Sequence, residues 1–155
     1  MRIEGYISEV LTKDAQKNAL DFIAYLRGDE GFSTSMDSSD TGRCWIRRND
    51  NLVCEMQVRA ASGDTCEGWD VWFYGDCIGQ QDSLADENIK ETAWANITPC
   101  GNCGAECAPG KQKIVFGKVF ENVCQSTLGF TNPDAHMLDC MKKIVETVKT
   151  TSYTA

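Results

Sequence analysis

The sequence predicts an α+β fold: a single domain over residues 1–155, built on a mostly antiparallel sheet of four to six strands. The N- and C-terminal helices are expected on one face of that sheet, with a cysteine-rich loop added. Two observations predict this class. Apolar residues recur at helical spacing near both ends of the chain. The middle instead shows short alternating runs rich in aromatic and β-branched residues, divided by turn residues. At 155 residues and 42% hydrophobic content the chain is long enough to bury a core without cross-links. It contains no repeat, linker or low-complexity tract.

The first helix follows Thr12, a good N-cap residue, with Ala15, Ala19, Phe22, Ile23 and Leu26 on one stripe and Gly28 as its stop. Residues 28–42 are polar and read as a loop with a short strand near Phe32. CWIRRNDNLVCEMQV alternates around Asn49-Asp50-Asn51, which predicts a hairpin pairing Trp45–Arg47 with Val53–Val58. A third strand, GWDVWFYG, follows a turn at Ser62-Gly63-Asp64. Alternation there puts Trp69, Val71 and Phe73 on one side and Asp70, Trp72 and Tyr74 on the other. LADENIKETAWANI reads as a second helix, with Leu84 and Ile97 on its stripe and Pro99 ending it. KIVFGKVFENVCQSTLGF reads as a hairpin turning at Gly117-Lys118, with Phe120–Phe130 as its longer arm. Asn132 then caps a last helix, with Pro133 in its first position and Met137, Met141, Ile144, Val145 and Val148 facing the core.

Charge excludes some functions. Fifteen Lys and Arg against 23 Asp and Glu leave −8, which disfavours nucleic acid and anionic membrane surfaces as partners. The start, MRIEGYISEV, lacks the apolar segment of a signal peptide, and no stretch approaches the roughly 20 apolar residues needed to span a bilayer. A cytoplasmic location is therefore expected. The nine cysteines would stay reduced there, and an odd number cannot pair completely.

The segment CGNCGAEC concentrates the chemistry. Thiolates bind zinc tetrahedrally, and a Cys-x-x-Cys knuckle with glycine after each cysteine lets backbone amides turn towards the sulfurs. Cys100, Cys103 and Cys107 lie in this loop, and the Gly117 hairpin can fold Cys124 back beside them, giving four ligands for a structural zinc. Cys140 and His136, one helical turn apart, are rival fourth ligands, and the same thiol set would also suit iron–sulfur. Cys44, Cys54, Cys66 and Cys77 show no paired spacing and are expected to be buried in the sheet. Catalysis finds little support, since His136 is the sole histidine and no phosphate loop or nucleotide fingerprint occurs. Trp45, Trp72 and Tyr74 on the less covered sheet face are the candidate contact surface for a small-molecule ligand or protein partner. Two functions stand: a zinc-stabilised binding module, or a thiol redox protein or sensor using Cys100–Cys103.

Three stretches also carry a resemblance: LTKDAQKNALDFIAYLR, KETAWANITPCGNCG and FGKVFENVCQSTLGFTNPDAHMLDCMKKIVE. Together they resemble a group of small uncharacterised bacterial proteins in which CGNCG precedes a G-K-x-F-x-N-V-C strand and an Asn-Pro-Asp helix start. The likeness covers residues 11–26 and 90–146. It implies one cytosolic domain in which Cys100, Cys103 and Cys124 act together, and it implies no catalytic residue.

Overall fold

A computed structural model describes residues 2–74 and 86–150. Among these, four helices and seven strands make an α+β fold, so the sheet has more strands than the four to six expected. The helices are α1 (Ile3–Val10), α2 (Lys13–Arg27), α3 (Glu87–Ala95) and α4 (Ala135–Thr150). The strands are β1 (Phe32–Met36), β2 (Arg43–Arg48), β3 (Asn51–Arg59), β4 (Gly68–Tyr74), β5 (Ile97–Pro99), β6 (Lys111–Val115) and β7 (Lys118–Thr131). Strand order is β1-β2-β3-β4-β7-β5, with β6 paired to β7. By packing, the chain divides into two compact units: Met1–Trp72 with Phe130–Leu138, and Phe73–Gly129 with Asp139–Ala155.

In the first unit, β1, β2 and β3 form an antiparallel ladder. The β2–β3 turn works because Asn49 and Asp50 both take left-handed backbone (φ 49° and 67°), as a two-residue hairpin requires. Cys44 and Ile46 lie opposite Met56 and Cys54, and all four side chains are buried. Ile3 and Ile7 of α1 and Ala19, Phe22, Ile23 and Leu26 of α2 are buried as well. Phe22 meets Trp69 of β4 with ring centroids 6.4 Å apart. Helix α1 was not expected: Gly5, a poor helix former, lies within it and no side chain caps it, so tertiary burial of Ile3 and Ile7 supports it instead.

Asn132 departs from its expected role. Its φ is +45°, its side-chain oxygen accepts the Trp69 backbone N–H at 3.0 Å, and its own N–H donates to Trp69 O at 2.8 Å. The cap of α4 passes to Asp134, whose carboxylate accepts the Met137 N–H at 2.8 Å.

In the second unit, Asp86 caps α3 by accepting the Ile89 N–H at 2.9 Å. Leu84, expected on this helix, lies outside the described residues. Ile97, expected to be helical, instead pairs with Leu128 in β5. The β6–β7 hairpin turns at Phe116-Gly117 (φ 47° and 80°), one residue before the expected position. The Trp94 indole donates to Val115 O at 2.7 Å and fixes α3 to the hairpin. The Cys140 thiol of α4 reaches Ile89 O at 3.6 Å.

Candidate metal centre

Backbone pairing brings the cysteine loop to Cys124. The loop leaves β5 at Pro99 and returns as β6 at Lys111, and both residues pair with the same residue of β7, Val123. The Cys100 N–H then donates to Asn122 O at 2.8 Å. Cys124 is the next residue after this doubly paired position. Val123 is buried, so strand alternation turns Cys124, which is half-buried, to the other side of β7.

Within the loop, the backbone turns where the sequence allows it. Asn102 and Gly104 have φ of 52° and 143°, and the Cys107 N–H closes a turn on Gly104 O at 3.2 Å. The Cys100 sulfur lies 3.8 Å from Asn102 Oδ1. At Gly101 an added Cβ would find room, standing in ordinary contact 3.6 Å from Cys103 Sγ. Gly110 has no such room. A Cβ on it would meet Cys100 Cβ at 2.6 Å and the Asn122 carbonyl carbon at 3.0 Å. The outgoing and returning arms of the loop thus touch at Cys100 and Gly110.

The Cys107 thiol is held above its ordinary value. Desolvation is the leading cause, followed by the sulfurs of Cys103, Cys124 and Cys100 and a hydrogen bond with the Cys103 side chain. Cys107 is exposed, so water screens these influences and their size is small. The three sulfurs acting on Cys107 belong to the other three members of the expected set. Cys100 and Cys124 are half-buried, Cys103 and Cys107 are exposed, and all four are free thiols. Among the described residues, no group of three or more His, Cys, Asp or Glu is drawn together closely enough to ligate an ion. Three of the sulfurs lie on the exposed loop and the fourth on β7, and a metal would have to draw them together.

The other cysteines are placed differently. Cys140 is fully buried in α4, where burial pushes its thiol up to about 12. His136 lies exposed in the first turn of α4. Cys44 and Cys54 are buried as expected, with burial raising both thiols. Cys66 is exposed, contrary to expectation, because it falls in the segment joining β3 to β4 and not on a strand. Cys77 lies outside the described residues.

The candidate contact residues follow the pleat of the sheet. Trp45 lies opposite Glu55 of β3, and Glu55, Gln57 and Arg59 share one side by alternation. Arg59 grips Asp70 of β4 with Nε and Nη2 at 2.9 and 3.1 Å, so Asp70 and Trp72 belong to that same side. Trp45 and Trp72 are both half-buried, and the Arg43 guanidinium sits 5.8 Å from the Trp45 ring centre. Tyr74, also half-buried, is on the Trp72 side of β4. This side carries buried charge as well, since Glu55 pairs with Arg43 at 3.3 Å and Asp70 with Arg59.

Sequence reasoning missed Gly110 and Asn122, which hold the loop's two arms against β7. Gly110 follows Pro109 and reads as ordinary loop composition. Asn122 adopts φ of 54° inside a strand, a local anomaly that only the fold exposes.

No family model matches the chain, and neither the curated proteins nor the solved structures compared with it give a match.

Proposed function

We propose that the chain is a binding module whose Cys100–Gly110 loop is fixed by a zinc ion held by Cys100, Cys103, Cys107 and Cys124. One observation carries this reading: Pro99 and Lys111 both pair with Val123, which sets the loop astride the strand position next to Cys124. A glycine-rich, exposed loop loses conformational entropy when ordered and buries little apolar area in return. Four thiols around it are a donor set suited to a closed structural zinc site, and the energy of binding would appear as stability of the loop. Because zinc binds thiolates, loading releases protons and weakens as pH falls. In this reading the half-buried Trp45 and Trp72 of the first unit supply the contact surface for a small-molecule ligand or a protein partner, and no residue acts as a catalyst.

Metal content tests this. Protein isolated without chelator should contain one zinc per chain by elemental analysis, and Cys124→Ser should reduce that content sharply. Metal-free protein whose Cys100 and Cys103 cycle between dithiol and disulfide would instead support a thiol redox function.

A further inference from the structure

A cavity in the first unit, remote in sequence from the cysteine loop, lies where the start of α1, the end of α2 and strands β1 and β2 meet. It has a volume of about 240 Å³ and is lined by Arg2, Ile3, Arg27, Thr34, Met36 and Cys44. We propose that it is a binding site for a small carboxylate with a short aliphatic tail.

The charge of the lining points to an anion. Two guanidinium groups line the cavity, and among the described residues no carboxylate does. The Glu4 carboxylate beside it is bound to Arg27 through Arg27 Nε, with Glu4 Oε2 buried and unpartnered among the described residues, so Arg2, Arg27 and Glu4 together carry a net charge of +1 in a chain of net charge −8. The Arg2 side chain makes no hydrogen bond or ion pair among the described residues, and Arg27 meets Glu4 through Nε alone, which leaves its Nη edge for another acceptor. The Thr34 hydroxyl also lacks a protein partner among the described residues. Two guanidinium groups and a hydroxyl therefore border a space that no carboxylate among the described residues lines. Guanidinium groups bind carboxylates through paired, charge-assisted hydrogen bonds.

The remaining lining limits the rest of the ligand. Ile3 and Cys44 are fully buried and Met36 half-buried, so the inner wall is apolar apart from a thiol that burial keeps protonated. At about 30 Å³ for each water-sized group, the volume accommodates roughly eight heavy atoms. A doubly charged phosphate would meet only one net positive charge and would leave the apolar wall uncovered. A six-carbon carboxylate satisfies both parts.

The test uses hexanoate as probe, with hexanol, hexylamine and inorganic phosphate as comparisons, added to the 15N-labelled full chain and followed by amide chemical shifts. Hexanoate should give saturable shifts centred on Ile3, Thr34, Met36 and Cys44. Hexanol and phosphate should bind at least tenfold more weakly, and hexylamine should leave these amides unmoved. Arg2→Gln, an exposed change that removes no packing, should weaken hexanoate about tenfold, and Thr34→Val should weaken it by a smaller factor. Hexanol or phosphate binding as tightly as hexanoate, undiminished affinity in Arg2→Gln, or no saturable shift at these amides with millimolar hexanoate would each overturn the proposal.

Discussion

Replacing Gly110 by alanine tests the link between the folding of the loop and its metal. The added Cβ would stand 2.6 Å from Cys100 Cβ, where ordinary contact begins at 3.4 Å, so the two arms must separate by 3.4 − 2.6 = 0.8 Å. The Asn122 side-chain oxygen, at 2.3 Å, can rotate away, but its carbonyl carbon at 3.0 Å belongs to β7 and yields less. Overpacking of this kind costs about 1–3 kcal/mol. Its consequence for zinc is larger in proportion, because metal–ligand distances tolerate only about 0.2 Å. A displaced Cys100 should therefore weaken zinc by about 10- to 100-fold, the range seen when groups supporting a metal site are disturbed. Zinc affinity is measured by competition with a chromophoric chelator, and stability by thermal melts of apo and loaded protein. Gly63→Ala is the control. It forces alanine into φ of +58° with nothing within 4 Å, so it should cost about 1–2 kcal/mol and leave zinc affinity alone. Zinc affinity in Gly110→Ala equal to that of the unmodified chain, whether or not stability falls, would refute the reasoning.

Further outcomes follow from the first unit and the remaining thiols. Asn132→Ala should lose about 2–4 kcal/mol in urea denaturation, from an unpaired buried Trp69 N–H and from alanine at φ of +45°, whereas Asn132→Gly should recover the second part; equal losses would show that the backbone conformation is not the issue. Arg27 and the hydrogen bond it donates hold the Glu4 carboxyl below its ordinary 4.5. A depressed carboxyl stabilises the fold above the unfolded value and loses that contribution as pH falls through the folded one. Glu4→Gln should thus cost under about 1 kcal/mol at neutral pH, the pair being partly exposed, and the difference should close below about pH 4 in acid titrations followed by circular dichroism. Cys66→Ser should leave zinc content and melting temperature unchanged, while Cys54→Ser should cost about 1–3 kcal/mol by placing a hydroxyl in the core.

The parts of this structure readable from sequence are those fixed by neighbouring residues. Asn49-Asp50 specify their turn because both tolerate left-handed backbone, and Asp86 caps α3 through its own side chain. Where tertiary partners compete, local reasoning fails. Asn132 looks like a helix cap, yet its tolerance of positive φ and the Trp69 amide claim it, and Asp134 caps the helix. Ile97 continues the apolar stripe of α3, but pairing with Leu128 takes it into the sheet. The candidate metal centre divides in the same way. Cys100 and Cys103 form a local knuckle visible in the sequence. The attachment of their loop beside Cys124 depends on the two pairings of Val123, which no spacing rule encodes, and the contact of Gly110 with Cys100 depends on them too. That Asp70 and Trp72 share a side of the sheet with Trp45 follows from the Arg59–Asp70 pair, again a nonlocal contact.

X-ray absorption at the zinc edge of the full chain, loaded with one equivalent of metal, is the most direct test of the four-thiolate site. Four sulfur scatterers at about 2.3 Å are the expected first shell, falling to three with one lighter scatterer in Cys124→Ser. A shell containing nitrogen or several oxygens in the unmodified chain, or a spectrum unchanged by Cys124→Ser, would contradict the assignment of Cys100, Cys103, Cys107 and Cys124 as the ligands.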